Sequence, residues 1–237
     1  TGDSKTLLGV NGSGAMTLGT NPGTESSNIA IGDGDALDTL TTGQSNIIIG
    51  HASDNYKLTT GKRNIFMGYR AGEDVVTNDN NVMIGFECAQ AATNHSNTFI
   101  GAETAKNATG FESVAVGKSS MMNCTGDRNV AVGVQTLDAS GDADNSVAVG
   151  FQALTAATGD SNIALGYQAG DGISSGGGNL LLGHQADCAH NLNFQIAIGY
   201  QVSTAAASTA AIGDATNTAT LNFGLTGQSW STTSDER

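Results

Sequence analysis

Along the chain a five-residue unit recurs: a small polar residue, usually asparagine, then three mostly apolar residues and a glycine. It is clear first at Asn28-Ile29-Ala30-Ile31-Gly32 and closes again at Gly50, Gly68, Gly85, Gly101, Gly117, Gly133, Gly150, Gly166, Gly183, Gly199 and Gly213. The intervals run from 18 residues between Gly32 and Gly50 to 14 between Gly199 and Gly213, and most are 16 or 17. Weaker copies end at Gly19 and Gly9. A period this short cannot hold paired helices. The triplets Ile47-Ile48-Ile49, Val114-Ala115-Val116 and Val130-Ala131-Val132 are rich in β-branched residues, which suit strands. Each repeat therefore predicts one coil of a parallel β-solenoid, with about 12 to 14 coils of about 16 residues in all.

Between the glycines lies a more polar half. An aromatic residue follows the glycine at Tyr69, Phe86, Phe151, Tyr167 and Tyr200, and Thr, Gly, Asp and Asn cluster later in the coil. This predicts a short second strand and then a turn. The repeat glycine supplies conformational freedom or close backbone approach. The asparagine tolerates the left-handed region and can hydrogen-bond from coil to coil. No coil has a core of its own, so stability is a sum over neighbours.

Side chains alternate along a strand, so Ile29 and Ile31 are expected inside their own coil and Ala30 outside. The outward column would then be Ala30, Ile48, Phe66, Met83, Phe99, Ala115, Ala131, Ala148, Ala164, Leu181, Ala197 and Ala211. A strand apolar on both faces is buried on both. This column is therefore the expected interface between identical chains, with the change from large residues to alanine read as a changing distance between them.

Composition supports a thin extended core: 33 glycines, one proline and 5% aromatics accompany 38% hydrophobic residues. Nine basic against 22 acidic residues, a formal charge of −13, exclude a phosphate-binding surface and point away from nucleic acid. No apolar stretch reaches the roughly 20 residues of a membrane-spanning helix, so no membrane insertion is expected. Cys88, Cys124 and Cys188 are odd in number and lack CxxC spacing, which predicts free thiols.

The unit Asn145-Ser146-Val147-Ala148-Val149-Gly150 and its relatives resemble the head repeats of trimeric autotransporter adhesins (Hep/Hag-type). The resemblance implies a left-handed parallel β-roll assembled as a homotrimer, with larger outer turns here because the period is longer. Ser234-Asp235-Glu236-Arg237 resembles the opening of the endosialidase-type intramolecular chaperone at the ends of phage tail fibres. Ser234, Asp235 and Arg237 match that family's Ser-Asp-x-Arg-x-Lys, while the chain stops before the lysine. Ser234 would be the self-cleavage nucleophile, inert without that amine.

Other chemistry is weaker. Gly117-Lys118-Ser119 imitates the end of a phosphate-binding loop, but Glu112 stands where a glycine is required. His184, Cys188 and His190 lack an obvious fourth zinc ligand. Asp33, Asp35 and Asp38, and Asp142 with Asp144, are acidic turns that match no calcium loop. No cofactor or metal is expected. The organisation expected is weaker coils over 1–27, regular repeats over 28–213, and a segment over 214–237 leading to a cleaved or absent chaperone domain. The function expected is the shaft of a viral tail fibre on the virion surface, a non-enzyme whose partners are its own copies and a host-surface glycan or protein. A bacterial adhesin head is the alternative, and a glycan-degrading tailspike enzyme a more distant one.

Overall fold

The structure, a computed structural model, describes residues 6–10, 16–17, 27–32, 39–50, 57–91, 95–138, 141–223 and 231–232. They form a parallel β-solenoid of about 11 turns, with a period of about 16 residues and no helix among them. No helix among them is therefore long and apolar enough to cross a membrane. The chain divides into two compact units, 1–122 and 123–237.

In the first unit the strands are β1 (Thr6–Val10), β2 (Met16–Thr17), β3 (Ile29–Gly32), β4 (Ile47–Gly50), β5 (Ile65–Met67), β6 (Val82–Ile84), β7 (Thr98–Ile100) and β8 (Val114–Val116). From β3 to β8 each pairs in parallel with the next, like residue over like residue: Ile48 over Phe66, Phe66 over Met83, Met83 over Phe99. The weak copy ending at Gly9 belongs to the same column, with Thr6–Gly9 in parallel register against Ile29–Gly32. The antiparallel pairing of β2 with β1 ends the stack.

The second unit holds β9 (Val130–Val132), β10 (Val147–Val149), β11 (Ile163–Leu165), β12 (Leu180–Leu182), β13 (Asp187–Cys188), β14 (Ile196–Tyr200), β15 (Ser203–Thr204), β16 (Thr209–Asp214), β17 (Thr218–Asn222) and β18 (Ser231–Thr232). Strands β9, β10, β11, β12, β14 and β16 stack in parallel, and then β17 and β18 reverse direction. An antiparallel finish occupies an edge that would otherwise recruit further chains. The Asp214 carboxylate holds that reversal by accepting from the Thr216 hydroxyl and from the N–H groups of Thr216 and Asn217, which lowers its pKa to about 2.

The structure reverses the faces expected from the sequence. Ala30, Ile48, Phe66, Met83, Phe99, Ala115, Ala131, Ala148, Ala164, Leu181, Ala197 and Ala211 are all at most 1% exposed within a single chain. They fill the inside of the coil and cannot be its outer contact surface. Ile29 and Ile31, expected inside, are 39% and 40% exposed. The cause is the residue two positions before each middle position, asparagine in most coils and Ser113, Ser146, Gln195 or Thr209 in the others, which alternation places on the same side. In the first unit Asn28, Asn46, Asn64, Asn81 and Asn97 are buried in a ladder. The N–H of Asn46 donates to Asn28 Oδ1 at 2.8 Å, and the same bond repeats at Asn64, Asn81 and Asn97 at 3.0 Å each. The Nδ2 groups of Asn28, Asn46, Asn64 and Asn97 turn to a turn carbonyl, as Asn64 to Asn78 at 2.8 Å, while that of Asn81 donates to Asn64 Oδ1 at 3.2 Å. The second unit repeats this through Asn129, Ser146, Asn162, Asn179 and Gln195. An amide with both ends satisfied can be buried, and its burial fixes strand parity.

The ladder makes a specific prediction. Asn64→Leu keeps the branching at Cγ, with a bulkier side chain, but orphans the N–H of Asn81 and the carbonyl of Asn78, so stability should fall by about 1–3 kcal/mol. A lowered denaturant midpoint at unchanged slope would show it, and an unchanged midpoint would exclude the ladder as a source of stability.

The ladder asparagines are not themselves left-handed. Positive φ falls one residue earlier, at Ser45, Arg63, Asn80, Ser96, Glu112, Arg128, Ser161 and Phe194. Among the described residues the expected second strand is present only as β13 paired with β15. Elsewhere the polar half is a run of turns held from coil to coil by backbone bonds, for example Gln168 N–H to Phe151 O and Gln185 N–H to Tyr167 O, both 2.8 Å.

Candidate functional site

With the middle residues inside, the first and third residues of each triplet form the outer face of the stacked strands. That face is apolar in both units. Ile29, Ile31, Ile100 and Val114 are 37–40% exposed in the first, and Val132, Ile163, Leu165 and Ile212 are 37–42% exposed in the second. Strands stack about 4.8 Å apart, so within each unit the residues form a continuous stripe and not scattered spots.

Beside the stripe in the second unit runs a column of rings. Phe151, Tyr167, His184 and Tyr200 stack with centroids 5.5, 4.8 and 5.0 Å apart and planes within 9–20° of parallel. In the first unit Tyr69 stacks on Phe86 at 5.5 Å, with the Arg70 guanidinium 5.4 Å from the Tyr69 centroid. Rings stacked this way cover one another's faces and present edges outward. Next to the second column a glutamine ladder runs from Gln135 through Gln152, Gln168 and Gln185 to Gln201, with amide bonds of 2.8–3.3 Å. The glutamines stand in left-handed backbone, which their side-chain bonds hold in line. The aromatic positions were visible in the sequence; the stacking, and His184 within it, required the coil register.

The thiol and histidine candidates are separated by the fold. His184 belongs to the ring column, whereas Cys188 is 3% exposed inside the coil. No cluster of three or more His, Cys, Asp or Glu able to hold a metal occurs among the described residues. Burial pushes the Cys88 and Cys188 thiols up to about 12, so at neutral pH neither is the thiolate a nucleophile needs. Burial also raises the Asp187 carboxyl, which lies where Gly172 leaves room for it.

Asp144 is used structurally. One oxygen accepts the Asp127 N–H at 2.7 Å and the other meets Arg128 at 3.4 Å. Gly117 is a repeat glycine at the end of β8, with its N–H on Ile100 O at 2.8 Å. His51, the Asp33–Asp38 turn, Ser234, Asp235 and Arg237 lie outside the described residues.

An open groove of about 420 Å³ in the second unit is lined by Thr158, Gly159, Asp160, Ser161, Ser175, Gly177, Gly178, Asn193 and Phe194. It crosses three successive coils on the turn side and was not visible in the sequence, because its residues lie up to 36 positions apart (158 to 194). Searched against protein-family models, curated proteins and solved structures, the chain matches none.

Proposed function

We propose that this chain is a shaft segment of a trimeric surface fibre, of the kind that carries a viral tail-fibre tip to its host, in which three left-handed coils pack together along their outer strand faces. The supporting observation is the apolar stripe. A line of partly exposed residues, mostly Ile, Val and Leu and broken at its first position only by Thr98 and Ala210, is unfavourable in water, and identical chains about one axis can cover it. The number three comes from the likeness of the repeats to adhesin heads. The viral assignment comes from the Ser234-Asp235-Glu236-Arg237 match. Function here is mechanical: three chains stiffen one another, and any weak surface contact is tripled.

The test is the solution mass. Light scattering should give close to three times the chain's 23.8 kDa. The double variant Ile163→Glu, Leu165→Glu places charges on the stripe without touching the interior, and should fall to the single-chain mass with an unchanged far-ultraviolet spectrum. A native chain that stays monomeric at high concentration would overturn the proposal.

A further inference from the structure

The groove between 158 and 194 spans the turns of three successive coils of the second unit. In the column of left-handed residues that precedes the asparagine ladder, the second unit has Arg128, Asn145, Ser161, Gly178 and Phe194. Most of these are polar and reach into water. Gly178 interrupts the column, and Gly177 widens the gap. The Phe194 ring leans into that notch: a methyl on Gly178 would meet ring Cδ1 at 2.9 Å and Cε1 at 3.0 Å. Yet the residue remains 67% exposed, more than any other large apolar residue described. Unlike the stacked rings of the Phe151 column, it has no aromatic ring stacked on it among the described residues.

Around the ring stand polar groups whose positions are set by coil-to-coil bonds. Asp160 Oδ1 accepts the Asp144 N–H at 2.9 Å, and among the described residues Oδ2 has no partner. Asn193 Oδ1 accepts the Gly177 N–H at 2.7 Å, which leaves its amide N–H groups to donate. The Ser161 hydroxyl makes no hydrogen bond among the described residues, and Ser175 donates to Asn191 Oδ1 at 3.2 Å. The site thus combines an open aromatic surface, a fixed acceptor, a fixed donor and a hydroxyl, in a volume within the range of small-ligand sites.

We infer that this groove binds a neutral pyranose unit of an oligosaccharide. A pyranose has an apolar C–H face that packs on a phenyl ring and a rim of hydroxyls that both donate and accept, which matches this set of groups. An anionic sugar is disfavoured, because the Asp160 carboxylate has no ion-pair partner among the described residues. A peptide strand is disfavoured because the neighbouring coil backbone is already paired, with Gly178 N–H on Asp160 O and Phe194 N–H on Gly177 O. The polar groups are held in place by backbone ladders before the ligand arrives, so little ordering is needed on binding.

The experiment is saturation-transfer NMR on the intact chain with lactose, cellobiose and N,N′-diacetylchitobiose, and sialyllactose as the anionic control. At least one neutral disaccharide should receive saturation on its ring protons, with a dissociation constant of about 1 mM, as expected of so few atoms on an open surface. Phe194→Asn, which removes the ring but tolerates left-handed backbone, should weaken binding at least about tenfold. Gly178→Asn, which fills the notch, should do the same. Sialyllactose should bind more weakly than lactose in the native chain and gain on Asp160→Asn. Absence of transfer to all three neutral sugars, or native binding by both groove variants with unchanged far-ultraviolet spectra, would overturn the inference. The monomeric Ile163→Glu, Leu165→Glu chain should still bind, so failure here is distinct from failure of the fibre proposal.

Discussion

Gly166→Ala is expected to cost about 3 kcal/mol or more, whereas Gly141→Ala should be neutral or stabilise by about 0.4–1 kcal/mol. Both residues are glycines in the same unit, but their surroundings differ. Gly166 has φ +142°, a region that side-chain-bearing residues rarely enter, and a methyl there would run into the carbonyl of Gly183 in the next coil. Relief would require separating two coils, which breaks the bond from Gly183 N–H to Leu165 O between them. At Gly141 a methyl meets only Thr158 Cγ2 at 4.0 Å, and the main effect is to reduce the freedom of the unfolded chain. Chemical denaturation of the two variants decides the matter. Equal midpoints would mean that the glycine column is not a steric requirement.

The second large effect separates the two faces of the strand. Ile48→Ala, at 0% exposure, should lose about 2–5 kcal/mol, and Ile31→Ala, at 40% exposure, well under half of that within a single chain. The chemistry of the two substitutions is identical, so the difference measures parity alone. Where chains associate, the Ile31 loss should appear as a concentration-dependent midpoint, because it weakens contacts between chains and not within one. The opposite order of costs would put the flanking residues back inside the coil.

The interior also explains a feature that the sequence reading assigned to spacing between chains. The change from Phe66, Met83 and Phe99 to alanine at 115, 131 and 148 is matched six residues on in these six coils. Phe66 is followed by Gly72, Met83 by Ala89 and Phe99 by Ala105, but Ala115 by Met121, Ala131 by Leu137 and Ala148 by Leu154. All of these partners are buried, and a methyl added at Gly72 would touch the Phe66 ring. In these six coils one member of the pair is large and the other small, which keeps the interior filled, whereas at Ala164 and Gly170 both are small and Leu154, Ile173 and Leu181 approach Gly170 instead.

Period and strand composition were legible because they are local. Glycine every 16 or 17 residues and β-branched triplets allow one economical solution, a parallel solenoid with like stacked on like. The asparagine ladder was legible for the same reason. What the sequence left undetermined was the direction in which each strand faces, since Ile-Ala-Ile and Val-Ala-Val are apolar at all three positions and hydrophobicity cannot choose between the two parities. The choice was made by the buried asparagine, whose side chain finds both its partners only inside the coil. The ring column with His184 and the groove beneath Phe194 depend on coil register, which brings together residues 16 or more positions apart. Local residue chemistry thus determined the repeat, and tertiary hydrogen bonding decided which side of it meets water.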